Sequence, residues 1–174
     1  MRHGRTAFAL GGAQSDRQQG TKGCRYTMSE PMIIDSAAGQ SGASGWTRAF
    51  KEHSSKIFAE TLAQSVMLEA SVLTGVVQGR ERVQAILTAA SGLYEALDFT
   101  RRTVDGDRTY MEWEARLGSG ERVAGITVLT VDAAGKISAI AIHHRPLPGA
   151  LRFSAELGRV LAGKIEPDLF HCCQ

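Results

Sequence analysis

Between Leu97 and Leu147 apolar and polar residues alternate in four runs, separated by three glycine-bearing turns. The pattern is clearest over residues 107–117. Met111, Trp113, Ala115 and Leu117 fall on one parity, and Tyr110, Glu112, Glu114 and Arg116 on the other. A period of two sends these sets to opposite faces of a strand, the first toward a core and the second toward solvent. The runs predict strands over residues 97–104, 107–117, 122–131 and 136–145. Asp105-Gly106 is a strong hairpin signal, and Gly118-Ser119-Gly120 and Asp132-Ala133-Ala134-Gly135 make the next two turns. Links this short permit only antiparallel neighbours. Pro146 and Pro148 end the last strand.

Upstream the period changes. Trp46, Phe50, Ile57, Phe58 and Leu62 recur near a helical spacing. Ser44 is an N-cap candidate. His53-Ser54-Ser55 interrupts the helix, because serine offers the backbone competing hydrogen bonds. Helices are therefore expected over residues 45–53 and 55–64. Val66 to Ser71 reads as a short strand, with Leu73 to Val77 as its pairing partner. Gly79 opens a helix whose apolar face is Val83, Ile86, Leu87 and Ala90. Phe153, Leu157, Leu161 and Ile165, four residues apart, mark one more helical stripe between Ala150 and Ile165. The fold class that follows is α+β: a cone-shaped, curved antiparallel sheet packed on N-terminal helices, with a C-terminal helix.

The expected organisation is an N-terminal extension over residues 1–44, the cone over 45–147, a C-terminal helix over 148–165 and a tail over 166–174. The extension is dominated by Gly, Ser, Gln and Arg, too polar to offset the entropy of ordering. Met28, followed by Ser29-Glu30-Pro31, reads as the native start.

Composition narrows the function classes. A length of 174 residues fits one domain plus a tail, and a net charge of +2 is too small to imply a nucleic-acid partner. Cys24, Cys172 and Cys173 lie near the ends and form no C-x-x-C, so neither a disulfide framework nor a metal site is expected. A reducing, cytoplasmic setting is the simpler reading. No run is long and apolar enough for a membrane span, and Thr6 to Leu10 is too short for a secretory segment. No phosphate loop, nucleophile elbow or zinc signature is present, and no cofactor is expected.

Several short segments carry a family likeness: Leu62-Ala63-Gln64-Ser65-Val66-Met67-Leu68-Glu69, Gly79-Arg80-Glu81-Arg82-Val83, Asp105-Gly106-Asp107-Arg108 with Met111-Glu112-Trp113, and Val131-Asp132-Ala133-Ala134-Gly135-Lys136-Ile137. In this order the chain resembles the nuclear transport factor 2-like superfamily. Within it, the chain looks most like SnoaL-like proteins, which include polyketide cyclases and ketosteroid isomerase relatives. The resemblance implies a cone that binds small apolar molecules and pairing of chains through the outer sheet face. The family's acids do not carry over. Where active members place an Asp after the first short strand, this chain has Ala70-Ser71. Where hydrolase relatives carry an Arg-x-Asp pair it has Trp113 and Ala115, and the final-strand acid is matched by Ile142.

The candidate catalytic residues are His144 and Glu69. His144 shares a strand face with Ile140 and Ile142, so it either shuttles protons at the pocket mouth or makes a structural hydrogen bond. Glu69 reads as an exposed edge residue, and replaces the missing acid only if its strand is shifted by one position. Glu112 and Glu114 read as a solvated strip balanced by Arg101 and Arg116. Trp113, Met111, Ile140, Ile142, Phe58 and Tyr94 are the candidate walls of the pocket, and the aromatic ones are equally core residues. The ligand expected is a small apolar, ring-sized molecule. The strand over 122–131 is apolar on both faces: Val123, Thr127, Leu129 and Val131 on one, Ala124, Ile126 and Val128 on the other. A strand of this kind needs cover on both sides, which predicts a homodimer through the outer face. Two readings stay open, an isomerase, cyclase or hydrolase, and a non-catalytic binding or dimerisation module.

Overall fold

The computed structural model describes residues 37–171. The expected start at Met28, most of the N-terminal extension and all three cysteines lie outside the described residues.

The glycine turns join the meander as the alternation predicts. β3 (Tyr94–Asp105) and β4 (Arg108–Leu117) meet across Gly106, whose φ of 60° lies in the left-handed region. β5 (Arg122–Val131) and β6 (Ile137–Arg145) follow. In the turn between them the Asp132 carboxylate accepts from the backbone N–H groups of Ala134 and Lys136, both at 2.9 Å. All these neighbours are antiparallel.

β1 (Leu62–Ala70) changes the topology. It pairs with β6 in parallel, and the two-residue β2 (Val77–Gln78) pairs with β1 antiparallel. The strand order is β2-β1-β6-β5-β4-β3. The sheet is therefore mixed rather than wholly antiparallel. The short-link rule applies only to neighbours in sequence, and the whole meander separates β1 from β6. β1 starts at Leu62, so α2 (Ser55–Thr61) stops before the expected residue 64. Ser54 caps α2 by accepting from the Ile57 N–H at 3.3 Å, while His53 takes a positive φ of 47° between the helices.

α1 (Ala37–Lys51) begins upstream of Ser44, which lies inside the helix rather than capping it. Two glycines of this helix, Gly42 of the expected extension and Gly45, are packing residues. A Cβ on Gly42 would meet Val131 Cγ1 at 2.9 Å, and one on Gly45 would meet Thr61 Oγ1 at 2.7 Å. Glycine here lets the helix backbone approach β5 and α2 closely. α3 (Arg80–Leu93) opens at Gly79 as expected. α4 (Leu147–Val160) carries Phe153 and Leu157, while Leu161 and Ile165 are buried in the turns after it.

Of the expected tail, residues 166–171 pack onto the fold. A 3₁₀ turn (Pro167–Leu169) delivers Phe170 into the core, and Leu73 bridges to Phe170 instead of forming the predicted strand to Val77. The rest of the core follows the alternation. Met111, Trp113, Ala115 and Leu117 are buried, as are Ile140 and Ile142. Trp46, Phe50 and Phe58 pack ring against ring beneath α1 and α2, with centroids 4.9–6.0 Å apart. The opposite sheet face exposes Met67, Glu69, Glu112, Glu114, Ile126 and His143.

Candidate functional site

The parallel pairing of β1 and β6 brings their C-terminal ends side by side. Ser71, the first residue past β1, donates its backbone N–H to the Ile142 carbonyl at 2.9 Å. Its hydroxyl oxygen accepts the backbone N–H of His144 at 2.8 Å and lies 3.2 Å from His144 Nδ1. His144 Nε2 lies 3.5 Å from the Tyr94 hydroxyl, at the long limit of hydrogen bonding. Ser71, His144 and Tyr94 thus form one polar chain through a ring of aromatics. Trp113 meets the imidazole edge-on at 5.1 Å, Phe153 lies 5.5 Å from it, and Tyr94 stacks on Phe153 at 5.0 Å.

The surroundings keep this chain uncharged at neutral pH. Burial, with His143 beside it, pulls the His144 imidazole from 6.5 down to about 4. Burial pushes the Tyr94 phenol above its ordinary value. Two tautomers satisfy the geometry. In one, Tyr94 donates to Nε2 and Nδ1–H donates to Ser71. In the other, Ser71 donates to Nδ1 and Nε2–H donates to the Tyr94 oxygen, which frees the phenolic proton for a third partner.

Trp46, Phe50, Tyr94, Leu97, Phe99, Trp113, Thr127 and Ile142 line a half-open inner cavity of only about 20 Å³, room for one water. Outside it, between α1 and β3, runs a groove of about 670 Å³. Arg48, Lys51, His53, Glu95 and Asp98 line its polar side. Phe50, Tyr94, Leu97 and Phe99 line both spaces, so groove and cavity adjoin at these four side chains.

The expected residues divide accordingly. His144, Tyr94, Trp113 and Ile142 come together. Met111, Ile140 and Phe58 are buried in the core and do not wall the cavity. Glu69 is exposed on the outer face opposite Ala141, with no one-residue shift to turn it inward. Tyr94, expected as a pocket wall, is buried with its hydroxyl on His144. Leu97, Phe99 and Phe153 were not singled out as site residues. Ser71 directly follows Ala70, the position matched to the family acid, and nothing in the sequence marks it as a partner of His144. Among the described residues no three His, Cys, Asp or Glu side chains are placed to hold a metal ion, and no helix is long and apolar enough to cross a membrane.

The family model for the SnoaL-like domain matches residues 43–140, more than half of the chain. The chain belongs to the SnoaL-like family. Solved structures agree with its fold. A steroid delta-isomerase from Pseudomonas aeruginosa superposes with a TM-score of 0.67 at 22% identity, covering 72% of this chain and 93% of its own. A protein with a cystatin-like fold from Silicibacter pomeroyi gives 0.67 at 15%, covering 71% and 86%. A SnoaL-like family protein from Agrobacterium tumefaciens gives 0.50 at 14%, covering 63% and 98%. At these identities the likeness is one of fold. No protein of curated function matches the sequence.

Proposed function

We propose that this SnoaL-like domain binds a small apolar carbonyl compound in the groove between α1 and β3 and isomerises it by proton transfer at Tyr94 and His144. One observation carries the reading: Tyr94 walls both the groove and the inner cavity, and its hydroxyl meets an imidazole that burial holds neutral. With Nε2 unprotonated, the neutral imidazole takes up a proton through the Tyr94 hydroxyl; once Nε2–H points to the phenol oxygen, the phenolic proton is free to donate to a developing enolate oxygen. The groove volume lies within the ordinary range for ligand sites. The steroid delta-isomerase of like fold makes a proton shift next to a carbonyl the reaction to try. Such a shift balances within the substrate: one C–H proton leaves, another carbon receives it, and no co-reactant is needed.

The test is a β,γ-unsaturated ketone followed by the absorbance of its conjugated product. Turnover by the wild type that falls about 10²–10⁴-fold in His144→Gln supports the reading. Binding of an apolar fluorescent probe with no turnover of any unsaturated ketone replaces it with the second reading, a non-catalytic ligand-binding module. That alternative is favoured by the inner cavity, too small at about 20 Å³ for a ring.

The outer sheet face fits a second copy of the chain. Ile126 is 43% exposed, flanked in register by Glu112 on β4 and His143 on β6. One row along, Ala124 is flanked by Glu114 and Arg145. Acid on one side and base on the other of an apolar centre is self-complementary under a two-fold axis.

A further inference from the structure

We propose that the C-terminal segment Glu166–His171 is a strap that positions His144, with Ser154 as its joint. The strap is tied at several points. Thr74, in the loop after β1, donates its N–H to the Leu169 carbonyl at 2.9 Å and its hydroxyl to the Asp168 carbonyl at 2.7 Å. Glu166 pairs with Arg82 of α3. Phe170 is buried against Gly158 of α4, where a Cβ would stand 3.0 Å from the phenylalanine.

The joint links these ties to the site. Ser154 is wholly buried. Its hydroxyl donates to the Val72 carbonyl at 2.6 Å and accepts the backbone N–H of His171 at 2.8 Å. The residues preceding Val72 and Ser154 touch the imidazole. Val72 follows Ser71, the hydroxyl partner of His144, and Ser154 follows Phe153, the ring beside it. One buried hydroxyl thus holds the loop from β1, the helix α4 and the strap in a fixed relation at the open end of β6. Unseating the strap frees the loop that carries Ser71 and loosens Phe153, which lets water reach the imidazole.

The titratable groups against His144 are Tyr94 on β3 and His143 beside it on β6. The facing residues of the β1 loop, β4 and α4 are Ser71, Trp113 and Phe153, which carry no charge. Water access is therefore what the strap changes, and imidazole titration is the direct readout. This inference deepens the proposed role of His144, yet its test uses no substrate, so an inactive protein and a misassigned strap give different results.

The experiment follows the His144 ring protons by NMR through a pH titration. The proteins are the full chain, a chain ending at Ile165, Ser154→Ala, and Ile57→Val as a core change away from the strap. In the full chain and Ile57→Val the imidazole should titrate well below the ordinary histidine value. In the shortened chain it should move back toward that value, and in Ser154→Ala upward by about one unit, a common scale for a local perturbation. If the shortened chain does not fold, Ser154→Ala decides. An unchanged titration in folded Ser154→Ala, or an equal shift in Ile57→Val, overturns the proposal.

Discussion

The indole of Trp113 lies directly over Gly125. A Cβ built on that glycine would stand 2.5 Å from Trp113 Cζ2 and 2.2 Å from the His143 carbonyl oxygen. The two residues are partners in register on β4 and β5, and Gly125 is also opposite His144 on β6. The missing side chain makes room for the indole, which donates from Nε1 to the Thr127 hydroxyl at 3.1 Å. Gly125→Ala should therefore destabilise the domain by about 1–3 kcal/mol or more, the usual cost of overpacking. A lower urea midpoint with an unchanged slope is the expected result, and an unchanged midpoint would show that the sheet yields freely at this point.

Removing the indole tests the same contact from the other side. Trp113 is 3% exposed and walls the inner cavity. Trp113→Ala should cost about 3–5 kcal/mol, typical of a large buried aromatic. Thr127→Val keeps the volume but orphans the indole N–H, and should cost about 1–3 kcal/mol. Equilibrium unfolding of both variants checks the order. A Thr127→Val protein as stable as wild type would mean the hydrogen bond contributes nothing.

Stability should also depend on pH through His144. Its folded value, about 4, lies below its ordinary 6.5. The unfolded chain therefore binds the proton more readily, and stability rises with pH across that window. It should be fully present above pH 6.5, fall as the pH drops toward 4, and level off below. The loss is about 3 kcal/mol at most, by the conversion of pKa shift to free energy. His144→Gln should flatten this part of the profile while leaving the acid loss from carboxylates in place. An identical profile in the variant would assign the slope to other groups.

Strand parity made much of this legible in the sequence. Alternation placed Met111, Trp113, Ala115 and Leu117 inside, and Ile140, Ile142 and His144 on one face, because a period of two is a local property of the chain. What parity could not give is the partner across space. The β1–β6 pairing joins residues more than seventy apart, so the meeting of Ser71 with His144 left no local trace. Glycines misled in one place. Gly42 read as part of a polar extension, yet it is the seat of a close packing contact, and α1 runs on to Ala37. Phe170, in the expected tail, is a single buried aromatic without a periodic pattern around it.

Assembly has its own test. Ile126 sits at the centre of the outer face, with Glu112 and His143 as its lateral neighbours. If two copies pair there, Ile126→Glu places like charges near the two-fold axis and should give monomers, while the wild type sediments as a dimer. The folded core should be unaffected, since Ile126 points away from it. A wild type that sediments only as a monomer at micromolar concentration removes the dimer.

Turnover should distinguish Glu69 on β1 from His143 and His144 on β6. His144 lies on the inner face against Tyr94, whereas His143 and Glu69 are exposed on the outer face. His144→Gln should lower turnover about 10²–10⁴-fold, the usual share of acid–base catalysis. Tyr94→Phe keeps the ring on Phe153 but removes the donor, and should lower kcat more than it changes KM if the phenol stabilises a developing oxyanion. Glu69→Gln and His143→Gln should leave turnover nearly intact. The activity should fall at acid pH as the imidazole protonates near 4, well below the range in which an ordinary histidine would switch off. A rate that halves near pH 6.5 instead would take the reaction away from His144.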